Sequence, residues 1–428
     1  MRQKVIDAIA VCALTVVSCS QSLSQTALSL EQCIELARSN SPALLAAGGA
    51  IHSSELAKRE LSSAAYPQIK AAANASYAPL PPPWGYDPAL SNGGQVAGQI
   101  ILNQSLYDGG VRQVKYEQFG FDADRLSKER AKIARDLTFG LKQAFIEALR
   151  AQQEILLQQQ SVEQLADYLG LVKRLYNGGS AGYTDVLKTD VQLETARLAL
   201  QKADESLAVA KYSLSEFMGV PVDPADTLAG SLDSLVRNTS DSVGVSGNLD
   251  LAIAELGVRR SMLDIELARR EWLPDISLTA DAGYLSSVQN LKLAKTDRFN
   301  ALGYSVGIGV GIPLFNWGAT GLRIEQRSIE SEGLRFQAER LRRFVTSEFA
   351  KTREQLKRSK VRLDLIRSNI SKAEENYLLT KSKFAGGVTL SIEVLAAQQL
   401  LTDTRLAELQ TLADIQNLAA KLEQLNTR

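Results

Sequence analysis

The chain has 428 residues, enough for two or three domains, and its 48 basic residues balance 48 acidic ones. This neutrality excludes the recruitment of nucleic acid or of an acidic partner by a global electric field. No apolar run reaches the roughly 18 residues that predict a membrane-spanning helix, so any passage through a membrane would have to use β-strands.

The N-terminus has the order of an export signal, in which two basic residues precede an apolar stretch at 8–17. A buried N-terminal helix is the alternative. We assign residues 1–20 to the signal peptide. The residues before Cys19 resemble a lipobox, which makes Cys19 a candidate lipidation site, while an ordinary cleavage site after Ser20 or Gln25 fits equally well. Both modes of processing stay open.

A helix begins at Ser29, which with Gln32 has the spacing of a capping box. Its pattern continues to about Ala65 with an interruption near residues 40–42, and Pro67 ends it. If the cysteines of the signal are removed, Cys33 remains alone, which excludes a disulfide framework.

Two strands follow, at about 68–77 and 95–106, because apolar and polar residues alternate there with a period of two. A loop rich in proline and glycine separates them. The same arrangement recurs later in the chain, with strands at about 275–284 and 303–314.

These four strands have one apolar face and one small or polar face, the pattern of a transmembrane barrel. A soluble sheet whose apolar face is covered is the alternative. Because about eight strands are the minimum for a membrane barrel and open edges are not tolerated in lipid, four strands per chain imply an oligomer.

Long helices fill the remaining length. From Gly110 the helical pattern continues without a proline to about Tyr176, which corresponds to about 100 Å of helix. Apolar residues recur there every seven positions, which favours supercoiled partner helices. A glycine-containing turn ends each long helix, at about 177–184 and 385–392, and an antiparallel helix follows it.

The chain matches itself when it is shifted by 208 residues. Leu106-Tyr107-Asp108-Gly109-Gly110 falls on Leu314-Phe315-Asn316-Trp317-Gly318, and Asp185-Val186-Leu187 falls on Glu393-Val394-Leu395. We therefore divide the mature chain into a first repeat at 27–218, a linker at 219–247 and a second repeat at 248–428.

Catalytic chemistry is missing from the sequence. His52 is the one histidine, which excludes histidine-cluster metal sites and argues against histidine-based acid–base catalysis. Gly307, Gly309 and Gly311 superficially suggest a dinucleotide loop, but their alternation within a strand favours small residues that face a pore. We predict no enzymatic activity and no cofactor or metal.

These features together resemble the TolC family of outer-membrane efflux and secretion channels. The resemblance rests on residues 28–32 with Asn40-Ser41-Pro42, on the boundaries at 106–110 and 314–318, and on the two Gly-Gly turns followed by Asp/Glu-Val-Leu. It covers nearly all of the mature chain. It implies an α+β membrane protein, in which three chains form a twelve-stranded outer-membrane barrel continued by a periplasmic helical coiled-coil barrel.

The resemblance also implies a function and partners. Such channels conduct substrates passively across the outer membrane of a Gram-negative bacterium, as part of a tripartite efflux or type I secretion system. A periplasmic adaptor and an inner-membrane pump or exporter would be the partners, and no nucleic acid would be bound. The sequence identifies neither the cargo nor the adaptor and pump.

By position, Asp185 and Glu393 match the acidic residues that line or lock the entrance of the family's channels, and Ala396 replaces a second carboxylate of the second copy. The alternative is that both residues are ordinary helix-start carboxylates. The turns with Gly178, Gly179, Gly386 and Gly387 are the predicted docking points of the adaptor.

A non-conducting coiled-coil lipoprotein that spans the periplasm is the alternative function. The four alternating strands argue against it, because such a spacer would not need them.

Overall fold

The computed structural model describes residues 27–78, 93–223, 226–233, 247–291 and 295–426. The predicted signal peptide and Cys19 lie outside them. The elements in these ranges are, in chain order, helix α1 (Leu30–Asn40), helix α2 (Pro42–Ser63), strand β1 (Gln68–Ala78), strand β2 (Gly93–Asp108), helix α3 (Val111–Asn177), helix α4 (Tyr183–Met218), helix α5 (Leu249–Arg270), strand β3 (Asp275–Leu291), strand β4 (Lys295–Gly311), helix α6 (Ala319–Ala385) and helix α7 (Ser391–Asn426). No helix among the described residues combines the length and the apolarity that crossing a membrane requires.

Contacts between residues divide the chain into two compact units. The first unit comprises Met1–Ser41, Asp136–Ser242 and Lys351–Gln424, and the second comprises Pro42–Arg135, Val243–Ala350 and Leu425–Arg428. Each unit therefore contains residues from both sequence repeats. The first unit is helical, and the second contains the β-sheet.

The sheet of the second unit is antiparallel throughout, in the strand order β1-β2-β3-β4. Its two hairpins have the same register. Ile69 pairs with Leu102 in the first hairpin, and Ile276 pairs with Val310 in the second. Because the residues of each pair correspond by the repeat, the duplication of the sequence is also a duplication of strand pairing.

The two faces of the sheet differ in polarity as the alternation predicts. One face carries large exposed apolar side chains, among them Ile69, Ile100, Val306, Ile308 and Val310. The pairing partners Asp281 and Ser305 lie on the other face and are hydrogen-bonded to each other. The apolar face has no cover within the described chain.

The strands of the second hairpin are displaced from the range that alternation indicated. β3 continues to Leu291 and β4 begins at Lys295, because the two strands pair with each other beyond the apolar segment. β4 ends at Gly311, two residues before Pro313, which has no N–H group to donate to a neighbouring strand.

In the first unit, helix α1 begins with the predicted capping box. The Gln32 N–H donates to Ser29 Oγ at 3.3 Å, and the Ser29 N–H donates to Gln32 Oε1 at 3.0 Å. The helix ends at Asn40, and the backbone of the next residue, Ser41, is extended, as expected for a residue that precedes proline. Cys33 is fully buried on this helix, and burial raises the pKa of its thiol to about 11.

The apolar core of the first unit is built by all four of its long helical segments. The buried residues come from α3, α4, α6 and α7, and they are Leu165, Tyr168, Leu169, Val172, Val186, Leu193, Ala196, Ala373, Tyr377, Phe384, Val394, Leu395, Ala397 and Leu401. This core lies directly next to both glycine turns in the sequence. It therefore packs the hairpin of α3 and α4 against the hairpin of α6 and α7 near these turns.

Candidate functional site at the helical turns

The two turns that end the long helices have the same backbone hydrogen bonds. At the end of α3, Ser180 N–H donates to Leu175 O at 2.8 Å and Gly179 N–H donates to Tyr176 O at 2.9 Å. At the end of α6, Val388 N–H donates to Lys383 O at 2.9 Å and Gly387 N–H donates to Phe384 O at 3.0 Å. This pair of bonds defines a Schellman motif.

Glycine is required at one position of each motif. Gly179 and Gly387 have φ values of 74° and 72°, in the left-handed region that side chains with a Cβ rarely adopt. Gly178 and Gly386 precede them and do not have a positive φ. The second glycine of each pair therefore shapes the turn.

Asp185 and Glu393, the corresponding carboxylates after the turns, have different surroundings. The carboxylate of Asp185 accepts a hydrogen bond from Gly182 N–H at 3.2 Å and is partly buried. It thereby satisfies a backbone donor at the start of α4. Glu393 is exposed on α7, and within the described residues no hydrogen bond or ion pair holds its carboxylate.

A buried tyrosine connects the two hairpins below these turns. Tyr168 of α3 donates a hydrogen bond to the hydroxyl oxygen of Ser391, the first residue of α7, at 3.0 Å. Its ring packs on Phe384 of α6, with ring centroids 5.5 Å apart. Burial raises the pKa of Tyr168 to about 12, although the hydrogen bond to Ser391 opposes this change.

Further polar contacts extend along the same helices. Gln398 of α7 is buried and donates to Ser161 Oγ of α3 at 2.8 Å. Gln192 of α4 donates to Gln399 Oε1 of α7 at 3.0 Å. The buried contact of Gln398 fixes the register between α3 of the first copy and α7 of the second, because a shift along either helix would take its amide away from Ser161.

The hydroxyl of Tyr377 is the exception in this core. Within the described chain it is buried without a hydrogen-bond partner, and burial raises the pKa of Tyr377. The sequence analysis identified Asp185, Glu393 and the glycines but missed Tyr168 and Ser391. Serine at the start of a helix was the available signal, yet nothing in the sequence indicated its partner 223 residues away.

Comparison with known proteins identifies the family. The sequence model of the family described as outer membrane efflux protein matches residues 33–220 and 245–426. The chain belongs to the outer membrane efflux protein family. Its members are channel proteins rather than enzymes, and membership makes the chain an outer-membrane protein.

Two curated relatives of the family are secretion proteins. The chain is 24% identical over 285 residues to the proteases secretion protein PrtF of Dickeya chrysanthemi, and 23% identical over 315 residues to the alkaline protease secretion protein AprF of Pseudomonas aeruginosa. The matches cover 65% and 69% of this chain, but 60% and 65% of the two relatives. The chain thus matches less than two thirds of each relative's length.

Solved structures show the fold. CusC, described in connection with transmembrane channel formation, superposes with a TM-score of 0.81 at 16% identity, covering 93% of this chain and 92% of CusC. The outer membrane protein VceC of Vibrio cholerae superposes with a TM-score of 0.76 at 16% identity, covering 92% and 95%. The fold is that of the TolC-like outer-membrane channels, as the sequence predicted.

Proposed function

We propose that the chain is one protomer of a trimeric outer-membrane channel that conducts substrates passively to the exterior. The matched strand registers of the two hairpins support this proposal. They make the two hairpins equivalent, so hairpins from further copies of the chain can extend the same sheet. Three chains would supply twelve strands, which is enough to close a barrel and leave no edge in the lipid.

The repeat also predicts how the edge strands of neighbouring copies pair with each other. Leu102 of β2 pairs with Ala280 of β3. Shifting both residues to their counterparts in the other copy gives Val310 of β4 and Ala73 of β1. Since β1 and β4 are the two edges of the sheet, we infer that Val310 of one protomer pairs with Ala73 of a second copy.

Helices of the first unit carry a second surface that a neighbouring copy would cover. Exposed apolar residues on α4 are Leu187, Val191, Leu198, Val209 and Tyr212, and those on α6 include Val361, Leu365 and Leu379. Their spacing is compatible with a seven-residue repeat, the pattern of coiled-coil contacts.

The charges of the two helices complement each other. α4 has six acidic and four basic residues, whereas residues 351–385 of α6 have ten basic and four acidic ones. We therefore propose that α4 of one copy packs against α6 of the next, which joins the periplasmic helices of three chains into a tunnel.

Partners and cargo follow from this arrangement. A passive conduit needs an energy source elsewhere, so we propose a periplasmic adaptor, docking at the turns with Gly178, Gly179, Gly386 and Gly387, and an inner-membrane pump or exporter. The relatives PrtF and AprF, which are secretion proteins, favour type I secretion of a protein cargo, while efflux of small molecules would use the same tunnel.

Reconstitution into a planar lipid bilayer tests the channel. Discrete conductance steps from purified wild-type protein are expected. Protection of the strands from protease shows whether the protein is fully inserted. If the inserted protein gives no conductance at any voltage, the result would favour a structural spacer.

A further inference from the structure

The junction between β2 and α3 is covered by the end of α5, a helix of the second copy. Gly109 of this junction has a φ of 66°, and a Cβ atom on it would come within 2.9 Å of Leu273 Cβ. The guanidinium of Arg270 donates a hydrogen bond to Gly109 O at 3.1 Å. Glycine is needed at this turn because α5 fills the space beside it.

The corresponding junction between β4 and α6 has a tryptophan in place of that glycine. Trp317, the counterpart of Gly109, has a φ of 57° and is the one non-glycine residue with positive φ in the described part of the chain. Its side chain is 88% exposed, and its ring contact is with Phe315, which is also exposed. Packing within the described protomer therefore does not offset the unfavourable backbone of Trp317.

The repeat identifies the helix that would cover this second junction. α5 corresponds to α2 at an offset of 207 residues, as the prolines that follow the two helices show. Equivalent contacts support the alignment: Glu271 of α5 pairs with Arg323 of α6, and their counterparts Ala64 and Lys115 line one groove between α2 and α3. Because β1 and β4 are the opposite edges of the sheet, the α2 that lies beside Trp317 must come from another copy.

The residues at the end of α2 complement Trp317 in size. Arg270 corresponds to Ser63, and Leu273 corresponds to Tyr66. Where α5 places a large arginine on a glycine turn, α2 would place a small serine, which leaves room for the indole ring. Tyr66 is 70% exposed in the single chain and would lie beside Trp317. The two junctions thus exchange large and small residues around the same backbone turn.

The strand before the junction indicates the same partner. β2 continues past the end of β1 because it pairs with β3 there, and Tyr107 lies opposite Ile276. The counterparts of this pair are Phe315 and Ile69, which are both exposed in the single chain. Within the described residues, β4 ends before it reaches Phe315. The edge strand β1 of a neighbouring copy would supply the missing partner of Phe315.

We propose that Trp317 and Phe315 of one protomer dock onto the end of α2 and the start of β1 of the next protomer, with Trp317 against Ser63 and Tyr66. This inference rests on the proposed function, because it requires neighbouring copies, and it adds a packing contact beside the edge strands. Burial of the indole ring against a tyrosine ring offsets the strain of the turn. A second copy is the occupant because the equivalent helix covers the equivalent turn within the chain.

A disulfide between protomers tests the contact. In a Cys33→Ala background, Tyr66→Cys and Trp317→Cys are combined, and the protein is oxidised in outer membranes. At the first junction the corresponding Cβ atoms would be 2.9 Å apart, so a small adjustment suffices for a disulfide. Covalent trimers are expected from the pair, and monomers from either cysteine alone.

The edge-strand pair separates this inference from the proposed function. Covalent trimers from Ala73→Cys with Val310→Cys, but monomers from Tyr66→Cys with Trp317→Cys, would overturn the contact and leave the closure of the barrel intact; lipid would then cover Trp317. Monomers from both pairs would overturn the contact together with the proposed function.

An exchange of residue sizes gives a readout without cysteines. Trp317→Gly should lower the temperature at which the trimer dissociates in detergent, and adding Ser63→Arg with Tyr66→Leu, which recreates the first junction, should recover most of the loss. Leu314→Ala is the matched control, because its counterpart Leu106 remains 50% exposed at the covered first junction. No fall in Trp317→Gly, an equal fall in Leu314→Ala, or no recovery in the combined variant would contradict the proposal.

Discussion

At the residue scale, the two helix-start carboxylates illustrate how equivalent positions of a repeat acquire different roles. Asp185 accepts a backbone hydrogen bond at the start of α4, whereas Glu393 is exposed and without such a contact in the described chain. A carboxylate that is not engaged within its own protomer is available to the aqueous path. We therefore propose an electrostatic role for Glu393 and a structural one for Asp185.

Glu393→Gln is predicted to reduce cation selectivity and to weaken block by multivalent cations. Three copies of Glu393 would form a ring of carboxylates at the entrance of the proposed trimer, and such rings favour cations. Reversal potentials under a salt gradient and titration with a trivalent cation measure the effect. Unchanged selectivity and block would make Glu393 an ordinary surface residue.

Asp185→Asn is the matched comparison. It should weaken the start of α4 by about 1 kcal/mol, because an amide accepts the hydrogen bond from Gly182 less strongly and interacts less with the helix dipole. We expect a larger open fraction in single-channel records with little change of selectivity. A change of selectivity without a change of opening would reverse the two assignments.

Tyr168 predicts a dependence of stability on pH. Its pKa in the folded state is raised from 10.0 to about 12, so between these values the unfolded chain loses the proton while the folded chain retains it. Its contribution to stability is therefore complete below about pH 10 and lost as pH rises towards 12. Chemical denaturation at a series of pH values should show that the free energy of unfolding falls less in Tyr168→Phe than in the wild type. An equal fall in both proteins would contradict the buried environment of Tyr168.

At the element scale, the strand alternation can be tested face by face. Ile308→Arg or Val310→Arg should destabilise the inserted protein by roughly 2–4 kcal/mol if the site lies near the middle of the bilayer. Gly309→Arg, on the opposite face, should instead lower the conductance. Reversible unfolding from vesicles and single-channel recording measure the two effects, and equal effects on both faces would refute the interpretation of the alternation.

The turns provide a second comparison between neighbouring residues. Gly179→Ala should destabilise the tip by about 1–2 kcal/mol, because its φ of 74° is unfavourable for a residue with a Cβ. Gly178→Ala should have little effect, since its nearest neighbours would lie at ordinary contact distances of 3.5 and 3.6 Å. Urea unfolding followed by circular dichroism distinguishes the two variants. A similar loss of unfolding free energy in both would show that the left-handed conformation of Gly179 does not determine the stability of the turn.

The sequence revealed most of the elements because their periods are simple. The strand alternation, the proline and capping signals near Ser29 and Pro42, and the seven-residue repeat of α6 all correspond to structure. On α3, however, Tyr176 at the end of the predicted pattern is exposed, although Leu169 seven residues earlier is buried, and the core there also includes Tyr168 and Val172. A neighbouring helix decides between adjacent apolar registers, and that information is absent from the pattern of one helix.

Long-range contacts and backbone strain could not be predicted. The bond from Tyr168 to Ser391 joins residues whose proximity depends on four helices packing together. The positive φ of Trp317 was hidden because tryptophan itself gives no sign of a left-handed turn, although the alignment with Gly109 contained the clue. Comparison of the two copies is therefore more informative in this chain than either copy alone.

At the scale of the whole molecule, the account requires that three chains close one barrel through their edge strands. The repeat predicts the residues that pair between chains. Leu102 and Ala280 pair within the chain, and their counterparts in the other copy are Val310 and Ala73. β1 and β4 are the opposite edges of the sheet of one chain. A bond between residues 73 and 310 therefore reports on a neighbouring chain.

The most direct test is a disulfide between protomers. In a Cys33→Ala background, Ala73→Cys and Val310→Cys are combined, the protein is oxidised in outer membranes, and the products are separated without reductant. The account predicts covalent trimers that reduction converts to monomers. Ala73→Cys with Ser305→Cys, on the opposite face of β4, serves as the control and should remain monomeric. Monomers from the first pair as well, in membranes that contain the folded protein, would contradict closure of the barrel by three chains.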